Sequence, residues 1–207
     1  LEFRRVLFRS GPTTATAVPG TNTCSHYVTA GTDVFNANGS RAYDTIDLTG
    51  FGGTFSSSGP AIYGDLALSS VLTFSTSVFS PIFLATSGTK TITSYGKTID
   101  GSVIFNGVGG TWSLQDALTL SSTSTLTLTN GTLTTNGWSV TTGLFTSNNS
   151  NTRTLNLGAS TVTLTGTGTP WNITDPTNMT LSAGTSSLVF TGIAASSIFQ
   201  GGGFIYY

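Results

Sequence analysis

Charged side chains are scarce in this chain. Seven Lys or Arg and eight Asp or Glu stand among 207 residues, or 7%, where roughly 25% is usual. The net charge of −1 gives no electrostatic case for a nucleic-acid or anionic-membrane partner. Long apolar runs are also lacking, and none approaches the ~18 residues of a membrane span. The sequence therefore predicts neither nucleic-acid binding nor a membrane span.

Cysteine and histidine each occur once, as Cys24 and His26. One cysteine cannot close an internal disulfide. The Cys-x-His pair supplies two metal ligands, which do not make a site. A Ser-His-Asp triad would depend on His26, which lies in an irregular segment. We therefore predict no metal site and no cofactor.

The first ten residues differ in composition from the rest. They carry Arg4, Arg5 and Arg9, and they hold Glu2, the one glutamate. Their sequence, LEFRRVLFRS, resembles the translation of a common sequencing adapter. We expect residues 1–10 to be an adapter-derived artefact, the alternative being a basic leader. We expect residues 11–60 to be irregular with short strands, and residues 61–207 to be β-solenoid repeats truncated at the C-terminus.

The chain repeats itself at an offset of 41 residues. Residues 92–117 align with residues 133–158 without a gap, so that Gly96 meets Gly137 and Ile104 meets Phe145. A fixed internal period is typical of stacked folds, in which each unit buries its apolar face against its neighbours.

Apolar residues alternate with Thr and Ser from residue 61 onward, which is the pattern of strands with one buried face. Leu126, Leu133 and Val140 are also seven residues apart. Three sides of about seven residues would make a coil of about 20 residues, and two coils would match the offset. The sequence predicts an all-β, right-handed parallel β-helix of about seven coils, roughly 30–35 Å long.

An antiparallel β-sandwich is the alternative architecture, because Asn-Gly dipeptides are typical of hairpins. They occur at Asn38, Asn106, Asn130 and Asn136. The last two are only six residues apart, which favours two corners of one coil. A partial third copy aligns Trp112 with Trp171, which predicts equivalent places for both rings, either in the core or exposed.

Catalytic residues are hard to assemble from this sequence. Glycoside hydrolysis usually needs two facing carboxylates, and Asp44 and Asp47 would face opposite sides of a strand. Lyase chemistry needs a base beside acidic ligands, whereas Lys97 and Arg153 stand alone. We predict a non-enzyme with no catalytic residues. Outside residues 1–10 the acidic residues are Asp33, Asp44, Asp47, Asp65, Asp100, Asp116 and Asp175.

Two surface features point to binding. Outward threonines in successive coils would form ranks that suit a periodic surface such as ice or crystalline polysaccharide, the alternative being an ordinary solvated face. Exposed aromatic rings would stack on sugar rings, the alternative being core packing. The candidates are Tyr95, Trp112, Trp138 and Trp171.

Three stretches carry a resemblance to known proteins: KTITSYGKTID from Lys90, FNGVGGTWSLQD from Phe105 and LTLTNGTL from Leu126. Residues 64–207 resemble Thr/Ser/Gly-rich β-solenoid segments of phage structural (tail-fibre-like) and bacterial surface proteins from environmental sequence. The resemblance implies a structural or adhesive part of a virion fibre or a secreted, cell-surface protein.

Its expected partners are surface glycans or other structural subunits. Such fibres often trimerise, so a homotrimer is an open alternative. The alternative function is the scaffold fragment of a carbohydrate-active β-helix enzyme.

Overall fold

The structure, a computed structural model, describes residues 24–27, 31–32, 34–36, 42–75, 78–192 and 196–206. Residues 1–10 lie outside this part. The described residues form strands and no helix, and every strand pairing among them is parallel. Since hairpins pair antiparallel strands, the β-sandwich is excluded. The prediction of a parallel β-solenoid is confirmed.

The described residues contain 21 short strands. In chain order they are β1 (Cys24–Tyr27), β2 (Val34–Asn36), β3 (Ala42–Asp47), β4 (Thr54–Ser56), β5 (Ala61–Ile62), β6 (Leu66–Ala67), β7 (Thr73–Phe74), β8 (Ile82–Phe83), β9 (Thr89–Thr93), β10 (Thr98–Ile99), β11 (Val103–Leu114), β12 (Leu118–Leu120), β13 (Thr125–Thr134), β14 (Val140–Thr142), β15 (Leu144–Thr146), β16 (Arg153–Asn156), β17 (Thr161–Leu164), β18 (Trp171–Asn172), β19 (Met179–Ser182), β20 (Ser187–Phe190) and β21 (Phe199–Gln200).

Each coil has three sides. Face 1 contains β5, β8, β15, β18 and β21 with the first halves of β3, β11 and β13. Face 2 contains β6, β9, β16 and β19 with the second halves of the same three long strands. Face 3 is formed by β2, β4 and β7 in the early coils and by β10, β12, β14, β17 and β20 in the later ones.

The core is a set of columns in which like residues stack on like. Tyr43 pairs in register with Ile62, then Phe83, then Phe105 and Leu128, and all five side chains are buried. The rings of Phe83 and Phe105 stack with their centroids 5.0 Å apart. Alternation places these residues inside and the intervening Thr and Ser outside, because successive side chains of a strand point to opposite faces.

Coil length varies along the solenoid. It averages about 22 residues over about seven turns, slightly more than the 20 predicted. The step from Tyr43 to Ile62 is 19 residues, whereas the step from Phe145 to Trp171 is 26. Loops at 147–152 and 173–178, between faces 1 and 2, lengthen two of the coils. The parallel stacking also includes β1 to β4, within the 11–60 segment expected to be irregular with short strands.

The offset of 41 residues relates two turns that lie two coils apart, as predicted. Tyr95-Gly96 and Asn136-Gly137 are both turns with positive φ, and the coil that contains Asp116 lies between them. Between the turns the alignment slips, because coils differ in length at their corners. The pairing of Ile104 with Phe145 was wrong: Ile104 lies on the outer side beside Thr127, whereas Phe145 is buried and pairs with Leu126.

Candidate functional site

The carboxylates hold turns and coils together. Asp65 Oδ1 accepts hydrogen bonds from the Thr91 amide at 2.6 Å and the Thr91 hydroxyl at 2.9 Å, one coil further on. Asp116 accepts from the amides of Ser94 at 2.8 Å and Tyr95 at 2.6 Å. Similar bonds to amides are made by Asp47 (from Thr49), Asp100 (from Phe79) and Asp175 (from Thr177). Asp44 is also engaged within the fold, and Asp33 lies outside the described residues.

No cluster of metal-binding side chains is present in the part of the chain that the structure describes. It contains no group of three or more His, Cys, Asp or Glu that could hold an ion. Cys24 and His26 belong to β1, which pairs with β3, and their side chains lie outside the described part.

Arg153 is a buried residue whose side chain joins two neighbouring coils through hydrogen bonds. We call this arrangement the Arg153 clasp. Arg153 is 1% exposed, and its five N–H donors are all used. Nε donates to Ser147 Oγ at 2.8 Å, and Nη1 donates to the carbonyls of Asn151 at 2.9 Å and Thr177 at 2.6 Å. Nη2 donates to the carbonyls of Ser147 at 2.7 Å and Asp175 at 2.6 Å. Burial lowers the pKa of Arg153, and the charge of Asp175 opposes that shift. A guanidinium so fully bonded holds the loops together and has no free donor for chemistry.

Sequence reasoning missed this clasp. Four of the five acceptors are main-chain oxygens, whose positions no sequence pattern predicts. One signal was present: Arg153 stands two residues before Leu155, so alternation already placed a cation on the inner side of the strand.

Outward threonines form ranks on two faces. On face 2, five threonines occupy the same position in five successive coils: Thr89, Thr111, Thr132, Thr154 and Thr180. On face 3, four do so: Thr98, Thr119, Thr141 and Thr163. Neighbours within a rank are about 4.8 Å apart, the strand spacing of a sheet. We call these two rows the threonine ranks.

The threonine ranks differ from the adjacent row in their hydrogen bonding. Next to the face 2 rank, the Thr91 hydroxyl donates to Asp65 and the Thr134 hydroxyl accepts from Asn156. The hydroxyls of the nine rank residues make no hydrogen bond to any described residue, and the nine residues are partly or largely exposed.

The aromatic candidates divide into two groups. Trp112 and Trp171 are fully buried, so the core alternative is correct for both. They are not equivalent, however: Trp112 pairs with Leu133 on face 2, whereas Trp171 pairs with Phe145 on face 1. Tyr95 and Trp138 are 45% and 46% exposed. Both lie at the corner between faces 2 and 3, and we call this pair the aromatic corner.

Two shallow cavities lie near the C-terminal end of the described solenoid. One, of about 250 Å³, is lined by residues that include Leu188, Phe190 and Tyr206. The other, of about 230 Å³, is lined by Pro170, Ile198 and Phe199 among others. Both are formed by the last coils, where Phe190 and Phe199 meet edge to face.

Comparison with protein-family models, with curated proteins and with solved structures returns no match. The described residues include no helix long and apolar enough to cross a membrane.

Proposed function

We propose that this chain is a non-enzymatic structural or adhesive β-solenoid of a virion fibre or a secreted cell-surface protein. The observation that carries the proposal is the use of the carboxylates. Asp65, Asp100 and Asp116 each accept main-chain hydrogen bonds from a neighbouring coil. Hydrolysis of a glycosidic bond needs one carboxylic acid to donate a proton and a second carboxylate on the opposite side of the bond. Because these carboxylates accept hydrogen bonds from main-chain amides, we assign them a role in stabilising the fold and not in catalysis.

The fold suits a spacer. Continuous ladders of main-chain hydrogen bonds join successive coils, and the stacked core leaves each coil in contact with its neighbours. Repeat folds of this kind hold their ends at a fixed separation. About seven coils at about 4.8 Å per coil give a rod roughly 35 Å long.

The test combines a measurement of the protein's shape with an assay for polysaccharide cleavage. Small-angle scattering of the purified protein should report the dimensions of a folded solenoid about 35 Å long. Incubation with a panel of neutral and acidic polysaccharides should release neither reducing ends nor unsaturated sugars. Release that is lost when Asp100 or Asp116 is replaced by Asn would identify an enzyme and overturn the proposal.

The threonine ranks favour a second candidate function, attachment to a periodic surface. Nine unengaged hydroxyls with their methyl groups repeat at the coil spacing on two faces. No charged side chain stands in either rank. Ice and crystalline cellulose are the two surfaces to test, by inhibition of ice recrystallisation and by co-sedimentation. Thr132→Lys should abolish either activity, whereas Thr91→Ser in the adjacent row should preserve it. Equal behaviour of these variants would remove this candidate.

A further inference from the structure

The aromatic corner displays two rings along one edge of the solenoid. Tyr95 lies in the turn before β10, and Trp138 lies in the turn before β14. The coil between them contributes Asp116 to the same corner. The two residues are therefore two coil rises apart, about 10 Å along the axis. Each is nearly half exposed, and neither belongs to the core.

Both turns are fixed to the intervening coil. Asp116 accepts from the amides of Ser94 and Tyr95, which holds the first turn. Asn136 donates through Nδ2 to Ser113 Oγ at 2.6 Å and to the Leu114 carbonyl at 2.8 Å, which holds the second. The main chain of both turns is thus tied to the intervening coil, and the distance between the two backbone positions is set before any ligand arrives.

Tyr95 is an unfavourable residue for the backbone conformation of its turn. Its φ is +51°, in the left-handed region that bulky residues rarely enter. The equivalent turn two coils later has Asn136 at φ +55°, a residue that tolerates this region and also bonds across coils. Tyrosine at the first turn incurs strain without filling the core. Strain retained at an exposed side chain is typical of a functional contact.

We propose that the aromatic corner binds a neutral linear glycan, with one sugar ring stacked on Tyr95 and another on Trp138. This inference rests on the proposed adhesive function and gives it a ligand class. Aromatic side chains offer a flat apolar face with a polar edge, which suits the apolar face of a pyranose ring. At the corner between faces 2 and 3, the turns and the coil between them carry one cation, Lys97, and one anion, Asp116, whereas Asp100 lies beyond β10 at the next corner. Their charges cancel, which favours a neutral chain over an acidic one.

Trp138 offers a selective reporter for the test. The other two tryptophans of the sequence are fully buried, so a quenched or shifted exposed component of the emission comes from Trp138. We would titrate the protein with cellohexaose, mannohexaose and chitohexaose, and measure affinity by calorimetry in parallel. At least one of the three should give a saturable change in Trp138 emission.

Three variants separate stacking from folding. Trp138→Ala and Tyr95→Asn should each weaken binding about tenfold, the effect of losing one aromatic contact, whereas Tyr95→Phe should retain it. Tyr95→Asn should also raise the melting temperature by about 2–4 °C, because Asn tolerates the left-handed backbone conformation that strains Tyr. Val108→Ala is the matched control, since Val108 is 68% exposed and lies outside the aromatic corner.

The proposal is overturned if none of the three hexaoses alters Trp138 emission at the limit of its solubility, or if Trp138→Ala and Tyr95→Asn bind as the unaltered protein does. Those results would leave the proposed spacer intact. Shortening of the bound hexaose during the titration would instead overturn the non-enzymatic function and leave the stacking site standing. The two failures are therefore distinguishable in one set of samples.

Discussion

The guanidinium of Arg153 donates to the main-chain carbonyl of Asp175 at 2.6 Å, and together with its bonds to the carbonyls of Ser147 and Asn151 it links the two loops that lengthen neighbouring coils. Replacing Arg153 by Met would remove the donor from the buried carbonyl of Ser147 and from the partly buried hydrogen bonds to the carbonyls of Asp175 and Thr177. Each such loss costs about 1–3 kcal/mol. We expect Arg153→Met to lower the free energy of unfolding in urea by about 3 kcal/mol or more.

Lys97→Met is the control for that measurement, because a substitution on the surface changes stability by less than about 0.5 kcal/mol. Hydrogen exchange should localise the effect of Arg153→Met to residues 147–152 and 173–178. Equal stability of the two variants would show that the clasp contributes nothing.

Alkaline pH should loosen the C-terminal segment. Burial raises the pKa of Tyr206, and the hydrogen bond from Trp171 partly offsets this shift. The Tyr206 hydroxyl donates to the Gly201 carbonyl at 3.0 Å, which only the protonated form can do. A raised folded pKa stabilises the fold fully below the unfolded value of about 10, and that contribution is lost as pH rises through the folded pKa. Melting temperature should fall more steeply above pH ~10 in the unaltered protein than in Tyr206→Phe; parallel curves would refute this.

The two buried tryptophans should respond differently to replacement by Phe. Trp171 Nε1 donates to the Tyr206 hydroxyl at 3.0 Å, whereas Trp112 Nε1 is buried without a partner. Trp171→Phe removes a hydrogen bond, while Trp112→Phe removes an unsatisfied donor. Their cavity costs are similar, so we expect Trp171→Phe to be more destabilising by about 1–3 kcal/mol. Urea unfolding of both variants decides this, and the reverse order would contradict it.

Two glycines with similar φ angles should differ in their tolerance of alanine. Gly131 and Gly137 have φ of +77° and +80°. A Cβ on Gly137 would meet nothing within 4 Å, but one on Gly131 would lie 2.5 Å from the Gly107 carbonyl oxygen and 2.9 Å from the Trp112 ring. Gly137→Ala should cost about 1–2 kcal/mol through backbone strain alone. Gly131→Ala should cost at least about 2 kcal/mol more. Equal thermal shifts would show that the crowding at Gly131 relaxes freely.

The solenoid was predictable because its determinants are local. Alternation at Leu126 and Leu128 places both side chains inside, and the close succession of Asn130 and Asn136 leaves little strand between two hairpin turns. The sequence also predicted that threonines would fall into ranks, since equal coils bring equal positions into register. Whether these ranks bind anything stays a prediction.

Strand register and side-chain exposure were harder to predict from the sequence, because they depend on how the corners of each coil accommodate extra residues. The alignment of Ile104 with Phe145 failed by one residue, which moves a side chain from one face of a strand to the other. Likewise, Trp112 and Trp138 are each followed by Ser and then by an apolar residue, yet one is buried and the other exposed. The path of the main chain through each coil accounts for this difference in burial.

The stacking of coils along one axis has a mechanical consequence. Hydrogen bonds between coils run along the solenoid axis, so tension applied to the two ends loads them coil by coil rather than all at once. Each coil that detaches releases about 22 residues, or roughly 75 Å of extended chain. Resistance should be greatest where Arg153 joins two coils. Under load the rod would lengthen in steps and dissipate energy at each one, so that an attachment made through it yields before it breaks.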